Sequence, residues 1–139
     1  MSRLALLALV LAALPSQEPQ VRFAGYDLLI DTGGRALAAW QVEVTCDPAK
    51  GKIVGVEGGE GPHYLEAPYH DPAALQGGRI VVAAFTTEPG APSGKVRVAR
   101  LHMQETGAVE YTPKLVVAAQ PGGARFGAKV ELVRAGGKK

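Results

Sequence analysis

The residues with the clearest chemical capacity are Asp31, Thr32 and Gly33, which follow an apolar stretch in the segment LLIDTGG. A carboxylate at the end of an apolar strand activates water when a second carboxylate shares its proton, one acting as base and the other as acid. No second Asp-Thr-Gly or Asp-Ser-Gly occurs in the chain. A hydrolytic pair would therefore need Asp31 from each of two copies.

This motif is that of the retroviral-type aspartic proteases, which also pass an apolar-apolar-Gly segment through the active loop. Ile53-Val54-Gly55 resembles that segment, but it begins only 22 residues after Asp31 and leaves no room for a hairpin that covers substrate. Residues 32–35 read Thr-Gly-Gly-Arg, which is typical of a tight turn because glycine tolerates positive φ. We expect a structural turn here, and a homodimeric aspartic protease that uses Asp31 is the alternative.

Histidine and acidic residues in the longest irregular segment, 59–78, are candidate cation ligands. His63, His70 and Asp71 lie there, but they show none of the ordered spacings of zinc or calcium sites. Asp71 precedes a proline, which is better explained as the N-cap of a short helical turn at 71–77. We predict no metal, no cofactor and no catalytic residue.

The same segment carries the candidate contacts with a ligand or partner, Tyr64, Tyr69 and His70. Each tyrosine has a proline within two residues, so the alternative is that both tyrosines pin the loop to the domain. The chain has one cysteine, Cys46, and therefore no internal disulfide. We expect Cys46 to be a buried, small apolar residue; a reactive thiol is the alternative.

The elements that must position these residues are strands. The chain has 18 glycines and 10 prolines, spread as punctuation between short apolar runs, which is the all-β pattern. Alternation and turn residues predict strands at 21–31, 36–46, 52–56, 79–86, 95–103, 111–119 and 126–133. We therefore predict one two-sheet antiparallel β-sandwich of seven to nine strands, with at most the one helical turn at 71–77.

Three of these strands carry specific expectations. In 36–46, Trp40, Val42, Val44 and Cys46 share the inward face, and the turn pair Asp47-Pro48 ends the strand. The strand 79–86 is almost wholly apolar, which favours a central position. In 95–103 the apolar phase changes partway, which indicates a bulge or burial on both faces.

The chain ends indicate an exported protein. Arg3 precedes an apolar run at 4–14, and a proline and a serine break it, which is the layout of a secretory signal peptide. We expect a leader at 1–20 with no clear cleavage site, one domain at 21–134 and a flexible basic tail at 135–139. A retained anchor is the alternative for the leader; no later run is long enough to span a membrane. The net charge of +2 gives no clustered basic face, so no nucleic-acid partner is expected.

The segment ALAAWQVEVTCDPAKGKIVGVEGGEG resembles the opening of a cohesin-type domain, an amphipathic strand, an Asp-Pro turn and a short strand that ends in a glycine-rich loop. The matching residues are Val42, Val44, Asp47, Pro48, Val54, Val56 and Gly58. The later segments GGRIVVAAFTT and GKVRVARLHM resemble that family's later strand pair. Cys46 stands where the family has tyrosine, and the chain is shorter than a typical cohesin.

The resemblance implies a jelly-roll sandwich of the kind shared by cohesins and some carbohydrate-binding modules. It also implies a secreted or envelope-bound, non-catalytic module that holds a dockerin-like protein or an extracellular polysaccharide. No dockerin-contact motif matches here, so no contact residue is carried over. A structural envelope protein is the further alternative.

Overall fold

The computed structural model describes residues 20–136, which form seven strands and one 3₁₀ turn. The strands are β1 (Arg22–Asp31), β2 (Ala39–Thr45), β3 (Gly51–Gly58), β4 (Arg79–Phe85), β5 (Lys95–Glu105), β6 (Thr112–Ala119) and β7 (Lys129–Arg134), and the 3₁₀ turn is Pro72–Ala74. The predicted all-β class is confirmed, and so is the predicted helical turn: Asp71 caps it by accepting a hydrogen bond of 2.9 Å from the Ala73 N–H.

The strands form two antiparallel sheets that face each other as a sandwich. One sheet has four strands in the order β3-β5-β1-β7, and the other has three in the order β4-β2-β6. The predicted two-sheet antiparallel β-sandwich is therefore confirmed. The central position expected for β4 is wrong, because β4 is an edge strand of the smaller sheet.

The core lies between the sheets and follows from the alternation in each strand. In β2, Trp40, Val42 and Val44 are all buried, as predicted, and Val42 lies opposite Val82 of β4. The residues between them point outward from the sandwich. This alternation decides which side chains of the three-stranded sheet reach solvent.

The change of apolar phase in β5 comes from a β-bulge, which is one of the two explanations that the sequence indicated. Leu28 pairs with Ala99 and Leu29 pairs with Arg97, so Val98 has no partner on β1. Both Val98 and Ala99 are fully buried. The extra residue therefore shifts the apolar side chains of β5 from one phase to the other without exposing them.

The segment 59–78 covers one open side of the sandwich. It pairs with β3 through Gly77 and Ile53, and with β4 through Tyr69 and Ala83. An uncovered strand edge would present unpaired backbone groups to other chains. The long segment is therefore an ordered part of the fold that closes the edges of both sheets on this side.

The ends of the chain lie largely outside the described residues. The expected leader falls on residues 1–19 apart from its last position, and Lys138 and Lys139 of the expected tail also lie outside. Ala135 still donates a backbone hydrogen bond of 2.8 Å to Gly25. Among residues 20–136, no helix is long and apolar enough to cross a membrane.

Candidate functional site

Two exposed aromatic side chains stand side by side on the outer face of the three-stranded sheet. Tyr69 is 71% exposed and Phe85 is 62% exposed. Phe85 and Ala83 lie two positions apart on β4 and so project from the same face. Tyr69 pairs directly with Ala83, which brings the tyrosine ring to that face as well.

A shallow groove runs from these rings across the strands. Its central part, about 240 Å³, lies between Tyr69 and Phe85, over a floor that includes Ala39, Gln41 and Val117. Since neighbouring strands lie about 4.8 Å apart, the path from Tyr69 across β4 and β2 to β6 is about 14 Å long. The floor is apolar apart from the Gln41 amide.

The groove continues on both sides of Phe85. On the Tyr69 side, a hollow of about 240 Å³ is lined by His63, Glu66 and Pro68. On the other side, one of about 370 Å³ is lined by Thr86, Glu88, Gln120 and Pro121. Phe85 lines all three parts, so the three hollows adjoin one another at this side chain.

The three predicted contact residues differ in their exposure and in their partners. Tyr64 is buried, with 2% of its surface exposed, and its hydroxyl donates a hydrogen bond of 2.7 Å to the Leu37 carbonyl. Its ring meets Trp40 edge to face at 6.2 Å, and burial raises the pKa of Tyr64 to about 12. Tyr64 is therefore not a surface contact: it anchors the loop, as the pinning alternative proposed.

Tyr69 and His70 follow each other but differ in position. Tyr69 forms one wall of the groove. His70 is half-buried, and its Nδ1 lies 3.0 Å from the Pro68 carbonyl oxygen, so its contact is with its own loop. The residues lining the three parts of the groove do not include His70.

Phe85 was not predicted as a site residue, because the almost wholly apolar run 79–86 indicated a central strand. Both phases of the run are apolar in the sequence, so the sequence does not show which phase is exposed. Ile80 and Val82 are fully buried, whereas Phe85 falls in the opposite phase and is exposed.

The turn after β1 is confirmed. The Asp31 carboxylate accepts a hydrogen bond of 3.1 Å from the Gly33 N–H, and Gly33 has a φ of +69°. The Thr32 side chain is buried and accepts a hydrogen bond of 2.8 Å from the Gly94 N–H. The hollow beside Asp31 is lined by the cation Lys129. The homodimeric protease stays a hypothesis from the sequence motif.

Cys46 is half-buried, not fully buried as expected, because it lies where β2 leaves the core. Its Sγ lies 3.3 Å from the Gly51 carbonyl oxygen. Burial, with Asp47 and Glu105 nearby, raises the pKa of the Cys46 thiol. A raised pKa keeps the thiol protonated and disfavours reactive chemistry. The predicted Asp47-Pro48 turn is present, with the Lys50 N–H bonded to the Asp47 carbonyl at 2.9 Å.

The outer face of the four-stranded sheet carries charges that pair with one another. Asp27 accepts a hydrogen bond of 2.7 Å from Arg100, and Arg97 lies 4.0 Å from the same oxygen. The hydrogen bond to Asp27 raises the pKa of Arg100. His102 lies 3.2 Å from Glu57 on the same face. These charges are satisfied within the face.

A buried carboxylate ties the far end of the sandwich together. Glu105 is 2% exposed and accepts hydrogen bonds from the hydroxyls of Tyr26, at 2.6 Å, and Tyr111, at 2.9 Å. Burial, then the bond to Glu105, raises the pKa of Tyr26 to about 12, and the same causes raise the pKa of Tyr111. The cluster is a structural network, since its acceptor oxygens face the protein's own donors.

Within residues 20–136, no group of three or more His, Cys, Asp or Glu side chains is placed to hold a metal ion. No family model matches the chain, and no curated protein or solved structure matches it. The cohesin-like relationship stays a prediction from the sequence. The groove between Tyr69 and Phe85 is the surface from which a function is best argued.

Proposed function

We propose that this chain is an exported, non-catalytic binding module that holds a polysaccharide in the groove between Tyr69 and Phe85. The observation that carries the proposal is the pair of exposed aromatic rings on one sheet face. Aromatic faces pack against the apolar faces of sugar rings, and they remove both surfaces from water.

The exposure of these rings is costly for a domain without a ligand. Burying a phenylalanine side chain stabilises a protein by about 1.5–3 kcal/mol, and Phe85 at 62% exposure forgoes most of this. Apolar groups gathered on one surface of a soluble domain mark interaction sites. Strand pairing holds the backbones of Tyr69 and Phe85, so the two rings start from fixed positions on the sheet without a ligand.

The groove also offers hydrogen-bonding groups for sugar hydroxyls. The Gln41 amide lies on the floor, while Thr86 and Gln120 line the side beyond Phe85. A few polar groups around an apolar surface are the usual composition of a ligand site. The open ends and the length of about 14 Å suit an extended chain better than a small enclosed ligand.

Export is part of the proposal and rests on the leader layout at 1–20. An exported protein shares its compartment with extracellular polysaccharides, so such a ligand is accessible to it. The cohesin resemblance favours a protein partner of the dockerin type instead. The experiment below separates these ligands.

The test uses the purified protein with a panel of extracellular polysaccharides, measured by affinity electrophoresis and titration calorimetry. We expect at least one polysaccharide to bind. The variants Tyr69→Ala and Phe85→Ala should each weaken binding at least tenfold. Leu65→Ala is the control, because Leu65 is 64% exposed in the same loop but does not line the groove.

Two results would contradict the proposal. One is that no polysaccharide binds, while a secreted protein partner is retained through the face that carries Phe85. The other is that a polysaccharide binds the two aromatic variants as tightly as the unaltered protein. The first result would move the function to protein binding, and the second would move the site to another face.

A further inference from the structure

We infer that the groove selects polysaccharides that carry amino groups and rejects those that carry carboxylates. This inference rests on the proposed function and adds the chemical class of the ligand. It follows from the charges that line the groove, which differ from those of the chain as a whole.

The lining of the groove contains two acidic side chains, one histidine, His63, and no lysine or arginine. Its charged residues are Glu66 on the Tyr69 side and Glu88 on the far side of Phe85, and no lysine or arginine lines any of its three parts. The whole chain has 15 Lys and Arg against 13 Asp and Glu and a net charge of +2. The groove, with two carboxylates and no lysine or arginine, is therefore more acidic than the chain as a whole.

The two carboxylates are available to a ligand. Both side chains are exposed, and within residues 20–136 neither Glu66 nor Glu88 takes part in an ion pair. Asp27, by contrast, is paired with Arg100 on the outer face of the other sheet. The charges of the groove are thus left for a partner to balance.

The position of Glu88 is held by local contacts. Its N–H donates a hydrogen bond of 3.2 Å to the Thr86 hydroxyl, and His63 Nδ1 lies 3.3 Å from that same hydroxyl. This chain of contacts links the two sides of Phe85. Glu66 and Glu88 therefore flank the ring across which a sugar chain would lie.

Electrostatic attraction favours a cationic sugar in the groove. An ammonium group gains from both carboxylates and from the faces of Tyr69 and Phe85, since aromatic rings attract cations. A sugar carboxylate meets two like charges with no lysine or arginine in the lining to offset them, and His63 is the one basic side chain there. A neutral sugar keeps the stacking and the hydrogen bonds and should fall between the two.

The test compares three β-1,4-linked hexasaccharides of matched length, built from glucosamine, glucose and glucuronic acid. Calorimetry at pH 6 keeps the amines protonated and the uronates ionised. We expect the glucosamine chain to bind at least tenfold more tightly than the glucuronate chain, with the glucose chain between them. Raising the salt concentration should shrink this ratio.

The double variant Glu66→Gln/Glu88→Gln should reduce the ratio of the glucosamine-chain affinity to the glucuronate-chain affinity to about threefold or less. Glu88→Lys should raise the affinity for the glucuronate chain. Glu110→Gln is the control, since that carboxylate lines a different cavity, beside Cys46, and should leave the ratio unchanged.

Equal affinity for the glucosamine and glucuronate chains would overturn the inference, and so would an unchanged ratio in the double variant. In either case, loss of binding in Tyr69→Ala would leave the proposed function standing. Failure of all three chains to bind would overturn the inference, and binding to the polysaccharide panel would then decide the proposed function.

Discussion

Tyr69 and Ala83 exchange both of their backbone hydrogen bonds. The Tyr69 N–H donates to the Ala83 carbonyl at 2.8 Å, and the Ala83 N–H donates to the Tyr69 carbonyl at 3.1 Å. One residue of the long loop thereby extends the sheet beyond its edge strand β4. Backbone pairing therefore positions Tyr69 as one wall of the groove. Its phenol ring remains available to contact a ligand.

The first prediction separates the backbone of Tyr69 from its side chain. Tyr69→Ala should leave the free energy of unfolding within about 0.5 kcal/mol of the unaltered value, because the ring is exposed. Tyr69→Pro removes the N–H that donates a hydrogen bond to the Ala83 carbonyl, and it should lower the free energy of unfolding by about 1–3 kcal/mol. Urea unfolding of both variants measures the difference. Equal destabilisation by the two would show that the ring, not the backbone, holds this edge.

The sequence predicted much of the fold, because strands and turns are decided by short-range patterns. The alternation around Trp40 predicted its burial, and the break in apolar phase near Val98 predicted the bulge. The Asp71-Pro72 pair predicted the capped turn. Sheet order was not predictable in the same way, because β4 is apolar enough for the centre and yet lies at an edge.

The site was predicted only in part, because irregular segments have no period that tells inside from outside. Tyr64 and Tyr69 lie five positions apart in one loop, yet one is 2% exposed and the other is 71% exposed. Their exposure depends on hydrogen-bond partners that are distant in the sequence, Leu37 for Tyr64 and Ala83 for Tyr69. Such pairings follow from the closed sandwich and leave no local trace in the sequence.

The second prediction concerns the anchor of the loop. Tyr64→Phe keeps the ring against Trp40 but removes the donor to the Leu37 carbonyl, which is then buried without that partner. The free energy of unfolding should fall by about 1–3 kcal/mol. Tyr69→Phe is the control and should have no effect, because its hydroxyl is on an exposed side chain. Unchanged stability of Tyr64→Phe in urea unfolding would mean that water replaces the lost donor.

The third prediction concerns close backbone contact at the start of the loop. A Cβ on Gly59 would lie 2.0 Å from the Arg97 carbonyl oxygen, and one on Gly58 would lie 1.9 Å from that of Leu65. Since these obstacles are backbone, Gly59→Ala should cost more than about 3 kcal/mol. Gly34→Ala is the control, because a Cβ there meets nothing within 4 Å. Thermal unfolding of both variants tests this, and a mild effect of Gly59→Ala would contradict the close packing.

The fourth prediction concerns the buried carboxylate. Glu105→Gln leaves two tyrosine hydroxyls facing a neutral amide and should lower the free energy of unfolding by about 2–3 kcal/mol. Arg22 lies 4.0 Å from the same carboxylate but is 58% exposed. Arg22→Gln should therefore change stability by less than about 1 kcal/mol. If urea unfolding gave the two variants equal losses, the stability would come from the ion pair and not from the tyrosine bonds.

The fifth prediction is a loss of stability in alkali caused by Tyr64. Burial raises its pKa from 10.0 to about 12 in the folded protein. Below pH 10 the phenol is neutral in both states, so its contribution is constant. Between pH 10 and 12 the unfolded chain ionises while the folded one does not, so the free energy of unfolding falls by up to about 1.4 kcal/mol per pH unit. Tyr64→Phe should lose this part of the slope, measured by urea unfolding at pH 9 to 12. The same slope in both proteins would show that Tyr64 ionises alike when folded and unfolded.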